Sequence, residues 1–266
     1  MFFKSVESGM LKNQLAFIRF GKGAEKVVVF PPINDALFDV TRVAFYIHRL
    51  FAPLAKNFEV IALSRKRDLP VGYNTREMAA DYARALEDIG PAHVIGVSLG
   101  GMIAQHFAQD YPACVKKLVL VASAYRMGPE GLIIARRWIP WARMGMWKDI
   151  YQDTVELSYR GWQSIACQLL APYVMAQFAK IKDPSDFITA GQAGIIHDAQ
   201  GSLETLRTPT LLIAGTADRF FPEALFYEMG ERLPDARLMI FKGARHGVLE
   251  DQRCRAMRVI RDFICQ

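Results

Sequence analysis

Short apolar segments alternate with longer segments of helical period along most of the chain. Six of the short segments are rich in β-branched residues, and they cover residues 27–30, 60–63, 94–97, 118–121, 210–214 and 238–241. Continuous apolar runs of this length are typical of strands that are buried on both faces of a parallel sheet. A seventh segment, residues 15–20, has an alternating pattern and predicts an antiparallel strand.

Helical patterns fill the intervals between these strands. Residues 75–89 place four apolar side chains on one helix face: Met78, Tyr82, Leu86 and Ile89. Asn74 or Thr75 can cap the start of this helix, and Gly90 ends it. Residues 222–233 and 250–264 show the same period. Strands and helices that alternate with short links predict an α/β fold with a doubly wound, mostly parallel sheet.

One region, residues 125–204, carries no strand signal. It is rich in Trp and Met, it is punctuated by Gly128 and by prolines at 129, 140, 172 and 184, and it predicts an all-helical cap. We therefore assign residues 1–124 and 205–266 to the α/β core and residues 125–204 to a cap (lid) insertion. Three arginines of this region, Arg136, Arg137 and Arg143, are interpreted as a solvated face, with attraction of an anionic substrate as the alternative.

Composition narrows the classes of function. The 266 residues are 52% hydrophobic and 23% charged, which excludes a disordered or collagen-like chain. The formal charge of +6 is a modest excess that a basic, soluble surface explains, so we expect no nucleic-acid partner. Four scattered cysteines without CxxC spacing predict neither a disulfide framework nor a zinc site. Residues 1–20 lack the apolar run of a secretory leader, and together with the scattered cysteines this favours a cytoplasmic protein. We also expect no membrane span.

The strongest chemical signal is a serine between a strand and a helix. Residues 96–101 read Gly-Val-Ser-Leu-Gly-Gly, and the helical pattern of residues 102–109 follows. A serine in so tight a turn takes unusual backbone angles, and only small neighbours such as Gly96 and Gly100 fit beside it. The turn brings the Ser98 hydroxyl out at the carboxyl edge of the sheet, where α/β folds bind their ligands.

A nucleophilic serine needs a base, and the base needs an orienting group. His246 lies in a loop of small residues after the last strand, whereas four other histidines lack such a context: His48, His93, His106 and His197. Asp218 follows the strand at 210–214, where it can hold the imidazole, and capping of the next helix is its alternative role. Glu250 and Asp251 are interpreted as helix N-terminal anions.

These residues, in the chain order Ser98, Asp218, His246, resemble the α/β-hydrolase superfamily, and the similarity is to serine esterases and lactonases with a helical lid. The resemblance covers nearly the whole chain. It implies that Ser98 is the nucleophile, that His246 acts first as base and then as acid, and that Asp218 orients His246. It also implies that the reaction needs no cofactor and no metal.

The resemblance also implies an oxyanion hole built from two backbone N–H groups. One comes from the residue after the nucleophile, Leu99, and the other from the loop after the third strand. Many relatives carry His-Gly where this chain has Pro31-Pro32. Because proline has no N–H, the second donor is Ile33 or Asn34.

A second departure from the family follows the strand at 60–63. Many relatives have an Asp-x-Arg-Gly-like stretch there, whereas residues 64–68 of this chain read Ser-Arg-Lys-Arg-Asp. Other chemistries on the same scaffold are excluded by residue type, because haloalkane dehalogenases and epoxide hydrolases use an Asp nucleophile where this chain has Ser98. The sequence contains no HExxH motif, P-loop or GxGxxG fingerprint.

The resulting hypothesis is a serine hydrolase that cleaves a small or medium carboxylic ester through an acyl-enzyme on Ser98, with a lactone or thioester as related substrates. Carbon–carbon bond hydrolysis, cofactor-free perhydrolase action and a ligand-binding signalling role of the same fold are the alternatives. The expected partner is a small ester-like molecule, and the oligomeric state is left open. Four side chains are candidate substrate contacts: Asn34, Trp138, Trp141 and Phe220.

Overall fold

A computed structural model describes residues 6–266. Residues 1–5, which belong to the predicted core and to the segment analysed for a leader, lie outside this range. Over residues 6–266 the chain forms one sheet of eight strands: β1 (Val6–Met10), β2 (Ala16–Phe20), β3 (Glu25–Phe30), β4 (Phe58–Leu63), β5 (Ala92–Val97), β6 (Val115–Val121), β7 (Thr210–Gly215) and β8 (Ala236–Phe241).

The strand order is β1-β2-β4-β3-β5-β6-β7-β8. Strand β2 pairs antiparallel with β1 and with β4, and strands β3 to β8 pair in parallel. The predicted α/β class with a mostly parallel sheet is therefore confirmed. Parallel strands bring their carboxyl ends to one edge, so the loops after β3, β5, β7 and β8 meet on the same side.

Ten α-helices accompany the strands over the described range: α1 (Ala44–Phe51), α2 (Thr75–Ile89), α3 (Leu99–Asp110), α4 (Pro129–Arg143), α5 (Trp147–Ser158), α6 (Gly161–Phe178), α7 (Ser185–Ile196), α8 (Glu223–Arg232), α9 (Val248–Asp251) and α10 (Arg253–Ile264). Buried side chains of α2, α3 and α8 pack on one sheet face, and those of α1 and α10 pack on the other. Burial on both faces explains why the parallel strands are continuous apolar runs.

Helix α2 has the predicted bounds, because residues at both of its ends cap it. The Asn74 side chain accepts hydrogen bonds from the N–H groups of Arg76 and Glu77, and the Glu77 side chain accepts from the N–H of Asn74. Two other expectations differ from the structure. Strand β1 was not predicted, because this edge strand has no apolar pattern. The helix expected over residues 250–264 begins earlier and is interrupted at Gln252, between α9 and α10.

The chain between β6 and β7 is helical, and two of its prolines lie inside helices rather than between them. Pro140 lies in α4 and Pro172 in α6. A proline removes one backbone N–H donor, and the helix continues past Pro140 because the N–H of Met144 still donates to the Pro140 carbonyl. Helix α6 has no charged residue, but no helix within residues 6–266 is long and apolar enough to cross a membrane.

Candidate active site

Ser98 occupies a tight turn between β5 and α3. Its backbone has φ 52° and ψ −119°, in the left-handed region that a serine rarely adopts. The turn closes because its glycines have no side chain. A Cβ on Gly96 would lie 2.5 Å from the Gly101 Cα, and a Cβ on Gly100 would lie 2.1 Å from the Phe30 carbonyl oxygen. The strain therefore holds the Ser98 hydroxyl at the carboxyl edge of the sheet.

The loops after β7 and β8 bring Asp218 and His246 to this serine. A distance of 2.9 Å joins His246 Nε2 to Ser98 Oγ, and 2.8 Å joins His246 Nδ1 to Asp218 Oδ2. The two loops are tied together, since the Ala217 N–H donates to the Ala244 carbonyl over 2.9 Å. The three side chains, which are far apart in sequence, form one hydrogen-bonded chain.

Asp218 is held rigidly. Its side chain has no exposed surface, and its second oxygen, Oδ1, accepts hydrogen bonds from the N–H groups of Phe220 at 2.8 Å and Phe221 at 3.2 Å. Both carboxylate oxygens are thus satisfied, which a buried carboxylate requires. The arrangement fits the imidazole tautomer in which Nδ1–H donates to Asp218 and Nε2 accepts from the serine hydroxyl.

The pKa of His246 is raised above the ordinary histidine value. Burial alone lowers the pKa of the ring, but the charge of Asp218 and its hydrogen bond to the ring raise the pKa by more, and Glu250 adds to the rise. A higher pKa makes the neutral imidazole a stronger base. The imidazole side chain is 16% exposed, so solvent can reach the base from the cavity.

The loop after β3 lies against the start of α3. It forms a 3₁₀ turn at Ile33–Ala36, in which the N–H of Asp35 donates to the Pro32 carbonyl. The N–H groups of Ile33 and Asn34 precede the first N–H that donates within this turn, as the N–H of Leu99 does in α3. A Cβ on Gly100 would lie 2.7 Å from the Pro31 carbonyl oxygen, so the loop after β3 packs closely against the first turn of α3 beside Ser98.

Ser98, His246 and Ile33 line one cavity of about 450 Å³, which lies between the sheet edge and the helices that follow β6. Its walls are mostly apolar and include Phe178 of α6 and Phe187 of α7. No Lys or Arg of residues 6–266 lines it, and its two carboxylates are Asp35 and Glu250.

 The two carboxylates of the lining therefore differ in position: Asp35 is 2% exposed and turned into the protein, whereas Glu250 is only partly buried.

Glu250 forms a polar cluster on an otherwise apolar wall. The Tyr46 hydroxyl donates to the Glu250 carboxylate, and Tyr159 lines the cavity together with them. These residues come from α9, α1 and the end of α5. The sequence pattern predicts only a helix N-terminal anion at Glu250, and nothing in that pattern indicates that the residue lies on a cavity.

The predicted substrate contacts fall into two groups. Asn34, Trp138 and Phe220 line the cavity, and the rings of Phe220 and His246 are 4.7 Å apart. Trp141 is not among the lining residues, and its ring lies under the Arg137 guanidinium at 5.0 Å. Neither Arg137 nor the other two cap arginines line the cavity, and Arg137 pairs with Asp153 at 2.6 Å. The period of the sequence does not show which of these side chains of α4 are turned toward the cavity.

The other histidines lie away from this cavity. His48 packs against the Phe20 ring, His93 lies beside Glu25, and the rings of His106 and His197 are 4.8 Å apart. His197 is buried, burial lowers its pKa, and its Nδ1 is 2.9 Å from the Thr75 hydroxyl. Of the five histidines in the chain, only His246 lines the cavity within the described residues.

The fold and the arrangement of Ser98, His246 and Asp218 define a protein of the α/β-hydrolase class. A family model described as Serine aminopeptidase, S33 (Hydrolase_4) matches residues 73–253, which is more than half of the chain. The chain belongs to this family. The resemblance that the sequence motifs indicated is therefore confirmed.

Individual relatives are more distant. The chain is 33% identical over 171 residues to polyketide synthase ThaQ of Burkholderia thailandensis, a match that covers 60% of this chain and 8% of that protein. It is 27% identical over 201 residues to the pimeloyl-[acyl-carrier protein] methyl ester esterase of Neisseria meningitidis, covering 71% of this chain and 61% of that protein. The matched segment therefore spans less than two thirds of either relative.

Among solved structures, the chain is similar to MGS-M2, an α/β hydrolase enzyme from a Medee basin deep-sea metagenome library. The TM-score is 0.83 at 17% sequence identity, and the match covers 98% of both chains. At this identity the similarity shows the shared fold.

Proposed function

We propose that the chain is a serine hydrolase that cleaves uncharged carboxylic esters through an acyl-enzyme on Ser98. The observation that carries this proposal is the hydrogen-bonded chain from Ser98 through His246 to Asp218, with distances of 2.9 and 2.8 Å, at the floor of an apolar cavity. A hydroxyl, an imidazole and a carboxylate in this order are the groups that acyl transfer requires.

The reaction follows from this geometry. As the Ser98 oxygen attacks the acyl carbon, its proton passes to His246 Nε2, and Asp218 stabilises the imidazolium that forms. The N–H groups of Leu99 and of Ile33 or Asn34 donate to the developing oxyanion. His246 then protonates the leaving alcohol, and a water that His246 deprotonates releases the acid and restores Ser98.

The charge of the cavity supports an uncharged substrate. Its walls are mostly apolar, the lining contains no Lys or Arg within residues 6–266, and Glu250 is only partly buried. A carboxylate on the substrate would be desolvated here and repelled by Glu250. The name of the Neisseria relative specifies a methyl ester, a group that is uncharged, and an alkyl ester suits this cavity.

The test is hydrolysis of p-nitrophenyl acetate, butyrate and octanoate by the purified wild-type chain and by Ser98→Ala. We expect turnover by the wild type and none by the variant, with Ser185→Ala, an exposed serine, as the matched control. Equal turnover by Ser98→Ala would overturn the proposal. Carbon–carbon cleavage, perhydrolysis and ligand sensing stay predictions of the family resemblance, and a cytoplasmic location stays a prediction from the sequence.

A further inference from the structure

Arg65 is a buried cation directly after β4, outside the chain of Ser98, His246 and Asp218. Its side chain is 1% exposed. Nη1 donates to the Pro31 carbonyl over 2.8 Å, and Nη2 donates to the carbonyls of Pro32 over 2.7 Å and Ile33 over 3.3 Å. One guanidinium thus holds three successive carbonyls of the loop that lies beside Ser98.

The guanidinium is itself held in place by Asp35. A distance of 3.5 Å separates Arg65 Nη2 from Asp35 Oδ2, which also accepts from the Arg65 N–H at 2.8 Å. The Ser64 hydroxyl donates to Asp35 Oδ1 over 2.7 Å and accepts from the Val40 N–H over 2.9 Å. A buried charge is tolerated only when it is paired and hydrogen-bonded, so these contacts fix the position of Arg65.

The direction of the loop follows from these bonds. In a trans peptide the N–H points opposite to the carbonyl of the preceding residue. Arg65 binds the Pro32 and Ile33 carbonyls, so the N–H groups of Ile33 and Asn34 point away from Arg65, and both of these residues line the cavity. Pro31 and Pro32 have no N–H, so the backbone of these two residues can be hydrogen-bonded only through its carbonyls, and Arg65 binds both.

We propose that Arg65 is a positioning residue for catalysis, which fixes the loop so that the N–H of Ile33 or Asn34 meets the oxyanion that forms above Ser98. This inference rests on the proposed function. It joins the two departures from the family sequence, because Pro31-Pro32 and Ser64-Arg65 form one contact. A planar fork with several donors suits this task, and a lysine ammonium would reach fewer of the carbonyls at once.

The test compares Arg65→Met and Arg65→Lys with wild type in ester hydrolysis. For Arg65→Met we expect kcat to fall about 10²–10³-fold, the loss typical for one oxyanion donor, while KM changes little. Arg65→Lys should lose less. The pH midpoint of kcat/KM should stay unchanged, because Asp218 and His246 are untouched. The affinity for a trifluoromethyl ketone, whose adduct on Ser98 carries an oxyanion, should fall in parallel with kcat.

Lys66→Met, which removes the neighbouring exposed cation, is the matched control and should keep wild-type kcat. If Arg65→Met does not fold, Arg65→Lys and Asp35→Asn decide the question by the same readouts. A folded variant of Arg65 with wild-type kcat and ketone affinity would overturn the inference, as would a loss confined to the melting temperature.

The failure of this inference can be distinguished from failure of the proposed function. The rate at which a fluorophosphonate labels Ser98 depends on the oxyanion hole but does not depend on ester turnover. If wild type hydrolysed no ester and Arg65→Met still slowed labelling, the proposed function would fail and the positioning role would stand. If wild type hydrolysed esters and Arg65→Met were labelled at the wild-type rate, the proposed function would stand and the positioning role would fail.

Discussion

The sheet edge and the helices between β6 and β7 meet at one cavity, but they are built in different ways. At the sheet edge the groups that we propose to react are held in place: Ser98 by a strained turn, and Asp218 by hydrogen bonds to both carboxylate oxygens. In the helical region, α6 has no charged residue. It lines the cavity with Phe178, yet leaves Trp162 71% and Leu169 77% exposed.

This difference separates two tasks. Reacting groups must keep their geometry to within a fraction of an ångström, and rigid, fully hydrogen-bonded elements provide this. The helices instead enclose a volume whose walls are apolar, and apolar contacts are not directional. We therefore expect substitutions at the sheet edge to change kcat steeply, and substitutions on the cavity wall to change substrate preference moderately.

The largest effect is expected for the reacting groups themselves. Ser98→Ala or His246→Ala should lower kcat by about 10⁶-fold, because the two residues act as one unit. The double variant should be no slower than either single variant. Steady-state kinetics on p-nitrophenyl butyrate measure this, with His106→Ala as a control outside the cavity. Additive losses in the double variant would show that the two side chains act independently.

Asp218→Ala should lower kcat by roughly 10⁴-fold, since the serine and the base remain but the imidazole loses its orienting partner. Exposed Asp235→Asn serves as the control and should leave kcat unchanged. A loss of less than tenfold on removal of Asp218 would mean that the imidazole is oriented by other contacts.

On the cavity wall, Glu250→Gln should change selectivity by charge. Wild type should prefer dimethyl pimelate to monomethyl pimelate, whose free carboxylate Glu250 repels. Glu250→Gln should narrow the ratio of the two kcat/KM values by about tenfold, which corresponds to about 1.4 kcal/mol. The exposed Glu231→Gln variant controls for net charge. An unchanged ratio of the two kcat/KM values would show that Glu250 does not select substrates by charge.

The smallest effect is a shift in the pH profile. Because the base must be neutral, kcat/KM should fall as the pH falls through the pKa of His246. That pKa is raised, so the midpoint of the rising limb should lie above the ordinary histidine value of about 6.5. The Asp218 carboxylate raises the pKa of His246, so Asp218→Asn should move the midpoint down. A midpoint that stays in place would contradict the electrostatic role of Asp218.

The sequence indicates the sheet edge better than the cavity wall, and the reason is physical. The turn at Ser98 depends on adjacent glycines, and α2 on its own cap, so local pattern predicts both. The Arg65–Asp35 contact joins residues after two different strands, and it exists only because β3 and β4 pair. Local pattern carries no such information.

Helix α6 gives a second reason why the sequence does not predict the cavity wall. An amphipathic helix reveals its buried face through its period, but the polar residues of α6 do not gather on one side of the helix, so its period marks no face. The positions of Trp138 on the cavity and of Trp141 beneath Arg137 are likewise set by how α4 packs. Which aromatic side chains meet a substrate is thus a property of the assembled helices.

The central claim is that Asp218 and His246 make Ser98 a nucleophile, and labelling with a fluorophosphonate tests it most directly. Peptide mapping after reaction should place one label per chain on Ser98, with esterase activity lost in proportion to labelling, and His246→Ala should label more slowly by orders of magnitude. Labelling of Ser98 in His246→Ala at the wild-type rate, or loss of activity with the label on another residue, would contradict the account.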